Sequence, residues 1–163
     1  LLFINAMEVC FMPEQRTIKR ARRDKRQGKS PSTQAGEFVR EEFRHVREGK
    51  HGARSTKQAI AIGLSKARRA GVKLGRPPAS AKATTKRSAQ SAAKAAGRRR
   101  VRRAAPKRSR AATRALRREG HRAASRKALA RQARSAARRR SAAARRASAR
   151  HAAKTRQRRQ AAV

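Results

Sequence analysis

Large apolar residues gather in the first 75 positions of the chain, and there they recur at helical spacing. Ala35, Phe38, Val39, Phe43 and Val46 follow three- and four-residue steps, which is one face of a helix and not the alternation of a strand. Ser30-Pro31-Ser32-Thr33 precedes them with a capping hydroxyl and a proline suited to a first turn, and Gly49 follows them. A second stripe, Ala59, Ile60, Ile62, Gly63, Leu64 and Ala67, opens on Ser55 and Gln58 at capping-box spacing. It closes on Lys66, Arg68 and Arg69, cations that complement the carbonyl end of a helix, with Gly71 and Val72 placed for a left-handed stop. Ahead of both, the run from Pro13 to Gln27 carries only Ile18 and Ala21 as apolar positions and stops at Gly28, which predicts a weaker helix.

Beyond Leu74 the pattern dissolves. Gly75-Arg76-Pro77-Pro78 makes a natural boundary, because prolines end helices and stiffen linkers. Residues 76–108 read as a low-complexity basic linker and residues 109–163 as an Arg/Ala-rich basic tail. Leu116 and Leu129 are the only leucines there, too few to give nascent helices near 110–119 and 123–150 a core to dock on. The expected fold is therefore mostly α. A small marginal helical module of two to three short helices, residues 12–75, leads into a long tail that is disordered or nascent-helical. Residues 1–11 (LLFINAMEVCF) are apolar but interrupted by Glu8 and too short to cross a bilayer of about 30 Å. They read as an upstream leader, with Met12 as the native start.

Charge changes the picture more than any motif. The 163 residues hold 49 Lys plus Arg against 8 Asp plus Glu, a formal net charge of +41. Residues 1–75 contain 18 basic and seven acidic residues, whereas residues 76–163 contain 31 basic residues and Glu119 as the single acid. Such an excess demands an external polyanion, and nucleic acid has the highest charge density, with about one negative charge per 1.7 Å of duplex axis. The dense clusters are Arg98, Arg99, Arg100, Arg102 and Arg103, and then Arg138, Arg139, Arg140, Arg145 and Arg146; Lys66, Arg68, Arg69, Lys73 and Arg76 add a third group. Arginine forks onto phosphate oxygens and stays charged at every working pH. The tail has no aromatic residue on which bases could stack, so the expected binding is backbone-led, largely sequence-independent and salt-sensitive.

The remaining chemistry is sparse. Gly75-Arg76-Pro77 resembles the core of an AT-hook, but Leu74 stands where a flanking arginine is usual, and a plain linker is the preferred reading. His45 and His51 lie six residues apart, off one helical face, and Cys10 is the single cysteine, so neither a metal site nor a disulfide is expected. Glu41 and Glu42 read as surface pairing partners, with Glu41–Arg44, Glu37–Arg40 and Arg44–Glu48 at helical spacing. No nucleophile and base stand together. The chain reads as non-enzymatic, with no cofactor, no small-molecule substrate and no membrane span.

Residues 53–74, ARSTKQAIAIGLSKARRAGVKL, resemble the KQAIAIGLSxAR core of a small, highly basic bacterial family of unknown function. MPEQ at Met12 and the block STQAGEFVREE are similar to other parts of such proteins. The resemblance covers roughly residues 12–75 and implies a bacterial, cytoplasmic protein that starts at Met12. In texture the tail is similar to histone H1-like nucleoid proteins. The combined expectation is a nucleoid-associated protein that binds DNA in preference to RNA. The alternatives are an RNA- or ribosome-associated basic protein, or an interaction module in which the 55–71 helix docks a partner and the tail localises it.

Overall fold

The computed structural model describes residues 13–96 and 106–161. Seven α-helices are formed among them: α1 (Gln15–Arg26), α2 (Pro31–Arg47), α3 (Thr56–Arg69), α4 (Ala83–Ala96), α5 (Pro106–Arg117), α6 (Arg126–Arg138) and α7 (Ala142–Gln160). A short 3-10 turn, Arg122–Ala124, follows α5. The described residues contain no strand, and none of their helices is long and apolar enough to cross a membrane. Residues 1–11, read above as a leader, and the cluster Arg98 to Arg103 lie outside the described residues.

Local signals set the ends of the first three helices. Ser30 and Ser55 accept backbone N–H groups from Thr33 and Gln58. The Gln58 side chain reaches back to the Arg54 N–H at 2.8 Å, one residue earlier than the simple capping box implies. At the other ends, Gly28, Gly49 and Gly71 all have positive φ. Gly49 shows the reason: with φ 71° its N–H meets the Val46 carbonyl while the Lys50 N–H meets the His45 carbonyl. This paired closure satisfies the last carbonyls and needs the left-handed region open to glycine. It also turns the chain back along α2, with consequences for His51.

The expected stripe of α2 is the buried one. Ala35, Phe38, Phe43 and Val46 are all buried and Val39 is half-buried. Ala21, Ala35, Phe38 and Ala67 form a core cluster, with Ile18, Leu64, Val72 and Leu74 packed against it. α2 touches both α1 and α3. Small residues let α2 and α3 approach: a Cβ placed on Gly63 meets the Val39 Cα at 2.7 Å.

The structure adds two features to that reading. The chain groups into two compact units, one ending at Ser125 and the other beginning at Arg126. Part of the supposed linker forms α4, which packs on α3 and buries Ala89 and Ala92. Alanine makes this possible, since it has the highest helix propensity and permits close backbone approach without a large apolar side chain. The segment from α5 to Ser125 also docks. Leu116, Ala123 and Ala124 are buried, and Thr113 with them. Backbone hydrogen bonds complete the joint: the Gly52 and Ala53 N–H groups donate to the carbonyls of Leu116 and Gly120. One leucine suffices because main-chain bonds and alanines carry the rest of the contact. In the second unit, Arg126–Val163, α6 and α7 stand as formed helices, and Ser141 caps α7 by accepting the Ala144 N–H.

Two substitutions separate packing from propensity. Gly63→Ala puts a methyl into the Val39 backbone, and an overpacking loss of about 1–3 kcal/mol is expected. Gly36 lies within α2, and a Cβ placed on it meets nothing within 4 Å, so Gly36→Ala is expected to stabilise by roughly 0.5–1 kcal/mol. Urea unfolding followed by circular dichroism reads both, and equal signs for the two would contradict the close α2–α3 approach.

Candidate functional site

Two chemically distinct regions emerge, a buried polar network in the first unit and exposed cationic helix faces in both units. The network lies in the phase of the apolar stripes. From Phe38 on α2, Glu41, Glu42 and His45 follow at three, four and seven residues, and all three are buried. On α3, Lys66 shares the buried face with Ala59, Gly63 and Ala67. Its ammonium sits 3.3 Å from Glu41 Oε1 and 2.9 Å from Glu42 Oε2. Burying an unpaired ion costs several kcal/mol, so these three charges hold their places only together.

Glu14, at the N-cap of α1, extends the network. Its N–H donates to Glu41 Oε2 at 3.2 Å, and its carboxylate accepts from His45 Nε2 at 2.7 Å and from Arg44. Lys50 Nζ lies 3.6 Å away. The hydrogen bond from His45 holds the Glu14 carboxyl down at about 2, against partial burial that pushes it up; Arg44 adds to the lowering. Past the turn at Gly49, His51 is buried too, with its Nε2 3.2 Å from Glu42 Oε1 and its ring edge-on to His45, centroids 6.0 Å apart.

Three readings from the sequence change accordingly. Lys66 is 1% exposed and paired twice, so it leaves the set of phosphate-binding residues. Glu41 and Glu42 are core ions and not surface partners; Arg44 turns to Glu14 and Glu48 in place of Glu41. The Glu37–Arg40 and Arg44–Glu48 pairs form as spaced, at 2.7 and 3.9 Å. His45 and His51 do come together, because His51 lies beyond the helix on a segment that has reversed direction. The sequence carried one usable signal, charged residues falling on the apolar phase of α2 and α3.

The other proposed contacts are at the surface. Arg69, Lys73, Arg76, Arg138, Arg139, Arg140, Arg145 and Arg146 are exposed, and Arg68 is half-buried with a bond to the Gly75 carbonyl. α6 adds order that the sequence reading missed. Lys127, Arg131, Arg134 and Arg138 fall on one exposed face at steps of four, three and four residues, a row about 16 Å long at 1.5 Å per residue. Arg131, Arg134, Ser135, Arg138 and Arg139 line a shallow surface groove. Lys107, Arg110 and Arg114 on α5, with Arg118 just past its end, form a similar exposed row, opposite buried Leu116. α7 has no such polarity, with arginines distributed around it.

Removing one member of the buried network exposes its importance. Lys66→Met leaves two carboxylates in the core without a cation, and a loss of about 3–5 kcal/mol in unfolding free energy is expected; a loss below about 1 kcal/mol in urea titration would contradict the burial. Acid should act through Glu14, which faces Arg44, His45 and Lys50. Its folded value lies below the ordinary 4.5, so its contribution is complete above that value and disappears as pH falls toward about 2. Glu14→Gln is expected to be less stable than the parent at neutral pH, with the gap closing in that acid window. Thermal melts across the pH range measure it.

Comparison with known proteins finds no match to this chain, whether among protein-family models, curated proteins or solved structures.

Proposed function

We propose that this protein is a non-enzymatic, largely sequence-independent nucleic-acid binder of nucleoid-associated type, which engages the phosphate backbone of DNA through its exposed cationic helix faces. The observation that carries the reading is the row on α6, in a segment, residues 126–163, with 14 basic residues and no acid. Its four cations recur about every 5.5 Å of helix axis, against a roughly 3.4 Å axial spacing of phosphates along one DNA strand, so the row can meet several phosphates of one backbone.

The internal distribution of acids supports the same reading. Glu14, Asp24, Glu37, Glu41, Glu42 and Glu48 all have ion-pair partners within the first unit. Those acids are thus engaged at home, and the outer cations need a counter-charge from elsewhere. Like charges at three- and four-residue steps repel and weaken an isolated helix, and a bound phosphate backbone relieves that repulsion. In this reading α6 and α7 are marginal in the free protein and firm up on DNA, which is the finer sense of a module followed by an adaptable tail. A cytoplasmic, nucleoid location follows from the same partner.

The test is the salt dependence of binding to a short duplex of arbitrary sequence, read by fluorescence anisotropy. The logarithm of affinity should fall linearly with the logarithm of salt, at about 0.9 per phosphate engaged. Replacing Lys127, Arg131, Arg134 and Arg138 by Gln should lower that slope by about 3–4 and weaken all duplexes alike. An unchanged slope would remove α6 from the interface, and no binding at low salt would end the proposal. Crosslinking in cells that recovers chiefly ribosomal RNA would move the partner from DNA to RNA.

A further inference from the structure

The buried cluster on α2 contains more lone pairs than its protons can satisfy. His51 Nδ1 lies 3.0 Å from the Gly52 carbonyl oxygen; a carbonyl only accepts, so Nδ1 carries the proton. The other nitrogen, Nε2, then offers a lone pair to Glu42 Oε1 at 3.2 Å, an acceptor facing an acceptor. His45 repeats the arrangement. Its Nε2 donates to the Glu14 carboxylate at 2.7 Å, which leaves Nδ1 bare, and that atom is buried without a partner. Glu42 Oε1 and His51 Nε2 likewise lack a hydrogen bond, while Glu42 Oε2 is held by the Lys66 ammonium at 2.9 Å. Buried polar atoms are almost always satisfied, so this convergence of unpartnered atoms at one place calls for an explanation.

We propose that Glu42, His45 and His51 form a binding site for one first-row divalent metal ion of the zinc type. Each residue contributes one ligand atom, and the three atoms lie within 4.8 Å of one another. Two imidazole nitrogens and a carboxylate oxygen are a zinc donor set, with a fourth position left for water. The surroundings have the form such ligands require. Each imidazole donates one N–H away from the cluster, His45 to a carboxylate and His51 to a backbone carbonyl, which fixes the tautomer and leaves the other ring nitrogen free to ligate. Charge agrees. Glu41 and Glu42 share the one ammonium of Lys66, so with neutral rings one negative charge of this pair of carboxylates is left for a cation.

The site has a structural purpose. His51 begins the segment whose next two residues, Gly52 and Ala53, bond to the Leu116 and Gly120 carbonyls. A metal joining His51 to α2 fastens that segment, and through it the α5 joint, to the helical core. Ion binding is then folding energy, and the fastening is independent of the cationic faces proposed to hold DNA. The competing occupant is a proton on His51 Nε2, which would make a buried ion pair with Glu42.

The full-length protein, stripped with a chelator, is titrated with Co²⁺ and then Zn²⁺. Expected are one Co²⁺ per chain with the visible bands of low-coordinate cobalt, displacement by Zn²⁺, and a rise in melting temperature with either metal. His45→Gln and His51→Gln should each weaken binding by about 100-fold or more, and Glu14→Gln, which loses only the outward bond, by about 10–100-fold. His121→Gln, at an exposed position, should leave binding unchanged. Affinity that survives the His45 and His51 substitutions, or cobalt that gives no such bands, overturns the site. Should those variants fail to fold, the histidine nitrogen resonances of the parent protein decide. One proton per ring in the metal-free state, with Zn²⁺ shifting both bare nitrogens, supports the site; a doubly protonated His51 that Zn²⁺ leaves unmoved overturns it.

Discussion

One ammonium group shared between two carboxylates organises the first unit. Lys66 enters the α2–α3 interface from α3 and meets Glu41 and Glu42 on α2. None of the three ions could stay in a dry interface alone, because desolvation outweighs ordinary packing energies. The pairing therefore ties the register of α3 on α2 more tightly than alanine contacts could. It depends on two backbone features. Gly63 lets the helices approach closely enough for buried contact, and the closure at Gly49 returns the chain so that His51 reaches Glu42.

The same network shapes the exterior. Acidic residues are scarce, and six of them are held in ion pairs inside the first unit. Surface cations on α5, α6 and α7 are left with few acids to neutralise them. Internal order and external charge are thus two results of one allocation: the acids stabilise the helical core, and the excess arginine faces outward. An acid-rich surface with the same core would fold as well and would lack the field that attracts a polyanion.

Helix positions in the first 75 residues were legible because their signals are local. Ser30 and Ser55 cap, glycines stop, and the Phe38 stripe faces inward, each decided within a few residues of chain. The polar network was less legible, since Glu41, Glu42 and Lys66 look like surface ions until the partner helix is known. Their phase, shared with Phe38 on α2 and with Ala59 and Gly63 on α3, was the signal available. His51 could not be placed by helical periodicity because it lies outside a helix. The docking of α4 and of Leu116 was hidden for another reason. Alanine contacts and main-chain bonds such as Gly52 to Leu116 leave no stripe of large apolar residues to recognise.

The central claim is a division of labour between a core held by buried ions and cationic helices that hold nucleic acid. Amide hydrogen exchange on the full-length protein, with and without a saturating DNA duplex, tests it most directly, because exchange reports the opening energy of each segment. Slow exchange across α2 and α3 in both states, with α6 and α7 exchanging fast when free and slowly when bound, is the expected result. Protection that appears on DNA only in α2 and α3, with α6 and α7 unaffected, would contradict it.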